Sequence, residues 1–251
     1  MIFWEKCILK VQDCWYNKVC KKYDTDECTD MCVRFTEMLH MMKYSGIPQS
    51  RFKSQSLNAV QEDYNSYLKL NEIKNNIKDF VQSGKNLYLY SENTGNGKTT
   101  WAIKLLQSYF NEVWAGNCLR IRGFFIPTQA YLIDKKNAQF GNSSEDYKLF
   151  SITDEFGNDQ LTMKNILNCD LIVWDDFVVK TLSAYDYTNL FAILDQRYLN
   201  GKSNIFTSGC SLEALDEMCG SKISSRIKMN CEIVELRASD FRTTGGTNDG
   251  K

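Results

Sequence analysis

One ten-residue run limits what this chain can become: Ser91-Glu92-Asn93-Thr94-Gly95-Asn96-Gly97-Lys98-Thr99-Thr100. Before it stands Leu87-Tyr88-Leu89-Tyr90, an apolar stretch of strand length. After it, from Trp101 to Leu106, apolar residues recur at helical spacing. Strand, Gly-x-Gly-Lys-Thr and helix in that order form a phosphate-binding loop. Gly95 and Gly97 let the backbone approach a phosphate and aim N–H groups at it. Lys98 reaches the outer phosphates of a bound nucleotide, and the Thr99 hydroxyl is a ligand for Mg²⁺. Asn93, Thr94, Asn96 and Thr100 complete the cradle. Glu92 stands where the full motif has its first glycine. The competing reading is a glycine-rich turn with an incidental Lys-Thr.

A second signal lies about 75 residues further on. In Leu171-Ile172-Val173-Trp174-Asp175-Asp176, four apolar residues precede two acids. That pattern predicts a buried parallel strand with carboxylates at its C-terminal end, where such sheets bind ligands. Asp175 is the candidate Mg²⁺ ligand, and Asp176 the candidate for orienting the attacking water. Ser203 to Gly209 reads as another strand. If it neighbours the Asp175 strand, Thr207 or Ser208 is placed to sense the outer phosphate. Further elements are predicted as a helix over 61–83, a strand from Leu119 to Thr128, a loop over 135–145, a helix from Tyr187 to Leu199, a short helix from Leu212 to Cys219 and a last strand from Ile233 to Leu236.

Five of the ten cysteines fall within the first 32 residues. Cys14, Cys20, Cys28 and Cys32 are candidates for a tetrahedral zinc site, with Cys28 and Cys32 four apart on one helical face. An iron–sulfur cluster uses the same ligand number, and Cys7 and His40 are spare donors. Small apolar packing in a helical hairpin is the alternative. His40 reads as an ordinary residue of a helix through Phe35, Met38, Leu39 and Met42. The run Ser45-Gly46-Ile47-Pro48 breaks that helix. Four segments follow: a cysteine-rich domain over 1–44, a linker over 45–56, a nucleotide-binding domain over 57–242 and a flexible tail over 243–251.

A net charge of −1 over 251 residues offers no general attraction to nucleic acid, so any such binding needs a local patch. Arg120, Arg122, Lys135 and Lys136 interleave with Phe124, Phe125 and Tyr131. That mixture serves single-stranded DNA, and equally a strand with a buried aromatic face. No apolar run reaches membrane-span length and the start does not read as a signal peptide, so a cytoplasmic location is expected.

Taken together these residues resemble the DnaC/DnaI-type replicative helicase loaders, phage versions included. The resemblance rests on the Gly46-Ile47-Pro48 run followed by Arg51-Phe52, on the phosphate loop, on Leu171 to Asp176, on Ile193 to Lys202 before Ile205-Phe206-Thr207-Ser208, on Ser225-Arg226-Ile227, and on Asp240-Phe241-Arg242. It implies an α/β P-loop NTPase of AAA+ type with a parallel sheet, behind a small cysteine-rich, zinc-binding N-terminal domain. It implies ATP or ADP with Mg²⁺ as ligands, self-association into an ATPase oligomer, and partners in a DnaB-type helicase and single-stranded DNA in the bacterial or phage-infected cytoplasm. Arg226 is then the arginine finger and Arg242 the C-terminal sensor. Gly209 stands where the family's first sensor often has Asn, which with Glu92 implies slow hydrolysis. Two other functions share this core: a nucleotide-gated adaptor with little catalysis and a transposition-helper ATPase.

Overall fold

The computed structural model describes residues 11–14, 17, 20–53, 57, 60–113, 120–139, 149–154, 156–177 and 182–239. The sequence expectations for Cys7, for Asp240 to Arg242 and for the tail lie outside them. A single parallel sheet organises the rest. Its strands are β1 (Asn86–Tyr90), β2 (Gly123–Pro127), β3 (Leu171–Asp175), β4 (Ser203–Ser208) and β5 (Cys231–Glu235), in the spatial order β2-β3-β4-β1-β5. β4 pairs in register with both β1 and β3, so the phosphate loop after β1 and the acids ending β3 emerge at the same edge.

Alternation along the strands feeds two cores. Leu87, Leu89, Phe125, Leu171, Val173, Ile205 and Val234 face one side; Tyr88, Phe124, Ile126, Ile172, Trp174 and Phe206 face the other. The first side is covered by α1 (Val33–Lys43), α2 (Tyr64–Asn75), α3 (Ile77–Gln82) and α4 (Lys98–Glu112). The second is covered by α5 (Thr128–Gln139), α6 (Met163–Asn168), α7 (Ala184–Leu199), α8 (Leu212–Cys219) and α9 (Ser221–Lys228). Helix starts are set by side-chain caps: Thr162, Ser183 and Ser211 each accept the N–H three residues on. The Ser183 cap starts α7 three residues before the predicted Tyr187.

Several predicted elements differ. The helix expected over 61–83 is a 3-10 turn followed by α2 and α3, divided at Asn76, whose backbone leaves helical angles at φ −115° and ψ 26°. The loop expected from Lys135 is helical as far as Gln139. The strand expected from Leu119 starts only at Gly123 among the described residues. Among those residues, no helix is long and apolar enough to cross a membrane.

Ser45 to Ile47, where the sequence breaks, lie tight against the sheet edge. Phe125 N donates to Ser45 O at 2.6 Å. Gly46 has φ 77°, and a Cβ there would meet Phe125 O at 2.6 Å. Only glycine satisfies both conditions. Phe35, Met38, Met42, Ile47 and Phe52 share one buried cluster with α4.

Candidate functional site

Gly95 (φ 70°) and Gly97 (φ 95°) adopt the left-handed conformation, and Gly97 caps the N-terminus of α4. The loop is tied down at both flanks. The Asn96 side-chain amide donates to Ser91 Oγ and, at 3.3 Å, to Leu236 O; that of Asn93 donates to Arg237 O at 2.7 Å. Lys98 Nζ lies over the loop, donating to Asn93 O at 2.9 Å and Asn96 Oδ1 at 3.2 Å. Thr94 and Glu92 are exposed, so the Glu92 carboxylate is not folded into the cradle.

Two strands away, Asp175 ends β3 buried. Thr207 Oγ1 donates to Asp175 Oδ1 at 2.7 Å and accepts Asp176 N–H at 2.9 Å. The Thr99 side chain lies near enough to Asp175 to favour its charged form. Burial pushes the Asp175 carboxyl above its ordinary range; the Asp176 charge adds to this, while the Thr207 hydrogen bond, the Thr99 side chain and the charge of Arg51 oppose it. Asp176 is exposed, with φ 49°. That left-handed conformation costs an Asp roughly 1–2 kcal/mol.

The structure therefore brings Lys98, Thr99, Asp175, Asp176 and Thr207 to one edge. Ser208 does not join them. Its hydroxyl is used in the turn after β4, donating to Phe177 O at 3.2 Å and accepting Cys210 N–H at 3.3 Å, because successive strand residues point to opposite faces. Gly209 is exposed, and a Cβ there would meet nothing within 4 Å. Thr100 turns from the loop toward Arg51, Lys53 and Lys104. Arg226 stays apart. Its Nε donates to Asp195 Oδ1 at 2.6 Å, its guanidinium lies over Phe191 and Tyr198, and its own carbonyl meets Asn86 at the start of β1, the opposite end of the sheet. Arg242 lies outside the described residues.

Thr99 and Asp175 present a hydroxyl and a carboxylate to one point beside a loop of positive-φ glycines. Hard oxygen donors there fit Mg²⁺ with a nucleotide. The cysteines do not fit zinc. Among the described residues no three His, Cys, Asp or Glu side chains gather as a metal site. Cys14 is buried in the core cluster, while Cys28 and Cys32 lie in turns before α1 rather than on a shared helical face. His40 sits on α1, edge-on to Tyr44.

For the basic and aromatic strip, the structure shows the second of the two readings, a strand with a buried aromatic face. Phe124, Phe125 and Tyr131 are core residues, and Arg120 and Arg122 pair with Asp170 at 3.1 and 3.4 Å, at the opposite end of β3 from the acids. A residue that sequence reasoning missed is Arg51, whose charge reaches Asp175. The sequence marks it only as a member of the Gly-Ile-Pro run.

No protein-family model and no curated protein matches the chain. Solved structures do. A crystal structure of the DnaC helicase loader has a TM-score of 0.54 at 22% identity, covering 72% of this chain and 93% of that one. A putative primosome component from Streptococcus pyogenes serotype M3 has a TM-score of 0.54 at 17% identity, covering 80% and 96%. The replication initiator DnaA bound to AMPPCP and single-stranded DNA has a TM-score of 0.52 at 15% identity, covering 78% of this chain and 50% of that one. The likeness is one of fold: helices on both faces of a five-stranded parallel sheet.

Proposed function

We propose that this chain is an ATP-dependent loader of a hexameric, DnaB-type replicative helicase onto single-stranded DNA. The observation that carries the reading is the hydrogen-bonded trio Asp175–Thr207–Asp176 on the two strand ends beside the glycine loop, with Thr99 of that loop near Asp175. The loader and initiator structures sharing the fold support the choice among AAA+ functions.

When bound, Mg²⁺-ATP supplies the transferable phosphoryl group and its charge-neutralising cation. Gly95 and Gly97 keep the backbone close to the phosphates, and Lys98 holds their charge. Thr99 and Asp175 are the cation's protein ligands. Thr207 fixes the Asp175 carboxylate, and the exposed Asp176 orients water. Arg226 acts in a neighbouring subunit of an ATPase oligomer, and Arg242 reports nucleotide state within its own. Residues 1–44 dock on the helicase, 45–56 link, 57–242 bind nucleotide and 243–251 form a tail.

Lys98→Ala tests the site. Nucleotide binding and turnover should vanish while the melting temperature stays, and unchanged turnover would refute the assignment. Co-purification with a replicative helicase, rather than with a transposase, checks the partner. A second reading, a nucleotide-gated adaptor with little catalysis, is favoured by Gly209. With no side chain and open space around it, that position polarises nothing. Steady-state ATPase measured with DNA and helicase present separates the two.

A further inference from the structure

Residues 45–53 form a strap anchored independently of any nucleotide, and both this strap and Leu57 beyond it make contact with α4 or its N-cap. It starts pinned to the β2 edge through Ser45 O and Gly46. It continues through a 3-10 turn at Gln49–Arg51, after which Phe52 enters the core. The buried Gln107 side chain on α4 then clamps it, donating Nε2 to Arg51 O at 3.2 Å and to Phe52 O at 3.1 Å. Beyond it, Leu57 Cδ2 stands 3.3 Å from where a Gly97 Cβ would be. Gln107 and Gly97 are ten residues apart on the helix, about 15 Å along its axis. The strap thus touches α4 near its middle, and Leu57 beyond it touches the loop itself.

Between those two contacts the Arg51 side chain lines a small surface cleft with Lys53, Thr100, Ile103, Lys104 and Gln107. The cleft has three cations and no acid. Lys53 pairs with Asp13 at 3.4 Å and Lys104 lies over the Trp101 ring, so each of them already has a partner. Arg51 instead has its charge within reach of Asp175. Among the described residues no carboxylate pairs with it at contact distance. A guanidinium there is one residue along the helix from Thr99, the other proposed cation ligand. Its planar fork matches phosphate oxygens better than an ammonium does.

We propose that Arg51 is a second cation of the nucleotide site, delivered by the strap rather than by the loop, and that it binds the terminal phosphate of a nucleoside triphosphate. The inference rests on the nucleotide site proposed above. It adds a consequence: a diphosphate leaves Arg51 without that partner, so strap position depends on which nucleotide is bound. The strap joins α1 to the sheet, so nucleotide state is passed to the N-terminal segment through this one side chain.

The test uses the full chain with Mg²⁺ and fluorescent analogues of non-hydrolysable ATP and of ADP. Lys98→Ala should lose both, which checks the underlying site. Arg51→Ala should weaken the ATP analogue roughly ten- to a hundredfold, as for one charge-assisted hydrogen bond, and shift the ADP analogue less than about twofold. Arg51→Lys should recover part of the loss. Tryptic cleavage after Lys53 supplies a second readout. In the wild type the ATP analogue should slow it and the ADP analogue should not; in Arg51→Ala the difference should disappear. The variant folds because Gln107 holds the Arg51 carbonyl, not its side chain. Equal losses for both analogues, or no loss at all, overturn the proposal, as does a defect confined to single-stranded DNA affinity. If Lys98→Ala still binds both analogues, the nucleotide site itself is wrong and Arg51 falls with it.

Discussion

Thr207 holds two neighbours with one hydroxyl, donating to Asp175 and accepting from Asp176 N–H. Its side chain is fully buried, so Thr207→Val keeps the shape and strips both partners. The expected cost is about 1–3 kcal/mol, seen as a lower melting temperature, with turnover falling further than nucleotide affinity. Thr207→Ser should restore most of both. Glu37 poses the opposite case. It is 3% exposed on α1, and among the described residues neither carboxylate oxygen has a donor. Burial pushes its carboxyl above the ordinary range, against the pull of Arg122 and Arg34. The folded chain therefore holds that proton more tightly than the unfolded one, and stability falls as pH rises from the unfolded value toward the raised folded one. Glu37→Met should melt higher than wild type at pH 7, by a margin that narrows toward pH 4. A margin independent of pH would show that the charge is not what the site resists. The phosphate loop and paired acids were legible in the sequence because their chemistry fixes residue types at short spacing. Thr207 was legible only as one of two hydroxyls, since choosing between it and Ser208 requires the strand's facing.

Among the elements, α7 shows how a motif that reads as functional also builds the fold. Arg197 is fully buried, and its guanidinium donates to Asn204 Oδ1, Ile166 O, Cys169 O and Ser203 O at 2.6–3.0 Å, tying α6, α7 and β4 together. A lysine cannot span four acceptors in that plane. Arg197→Lys should therefore cost roughly 3–5 kcal/mol, a melting decrease on the order of 10 °C, without any selective effect on nucleotide binding. Asp170 at the start of β3 does similar work for charge. Burial pushes its carboxyl up, but the Lys202 hydrogen bond and the charges of Arg120, Lys202 and Arg122 outweigh it and hold it low. That stabilisation is present above the unfolded value and is lost as pH falls through the folded one. This cluster is why the basic strip stayed open between two readings: the partner of Arg120 and Arg122 is Asp170, some fifty residues on, which local spacing does not reveal. Helix boundaries failed for a more local reason. The apolar stripe runs on through Asn76, where the backbone leaves helical angles at φ −115° and ψ 26°, a break that periodicity does not register.

At the scale of the whole molecule, a break in the chain and its packing are separate questions. Gly46 and Pro48 announced the break. They did not announce that Gly46 would sit against Phe125 O and Ile152, because those partners lie 79 and 106 residues away in sequence and only the fold brings them near. The same holds for Arg226. Its motif proposes a finger for a neighbouring subunit, and within its own chain it is held by Asp195 between Phe191 and Tyr198, at the sheet end opposite the loop. A residue so placed can serve a nucleotide only across an interface, which makes mixing informative. Lys98→Ala and Arg226→Ala should each lack turnover alone, while Arg226→Ala keeps nucleotide affinity. Random co-assembly of equal amounts places an intact loop beside an intact arginine at about a quarter of the interfaces of a ring or filament. Mixed subunits should therefore recover activity of that order, and Asp195→Asn, by releasing the guanidinium, should leave the recovery intact or raise it. If the mixture stays as inactive as its components although the subunits co-assemble, Arg226 acts only as the structural partner of Asp195, and the catalytic arginine must be sought elsewhere on the chain.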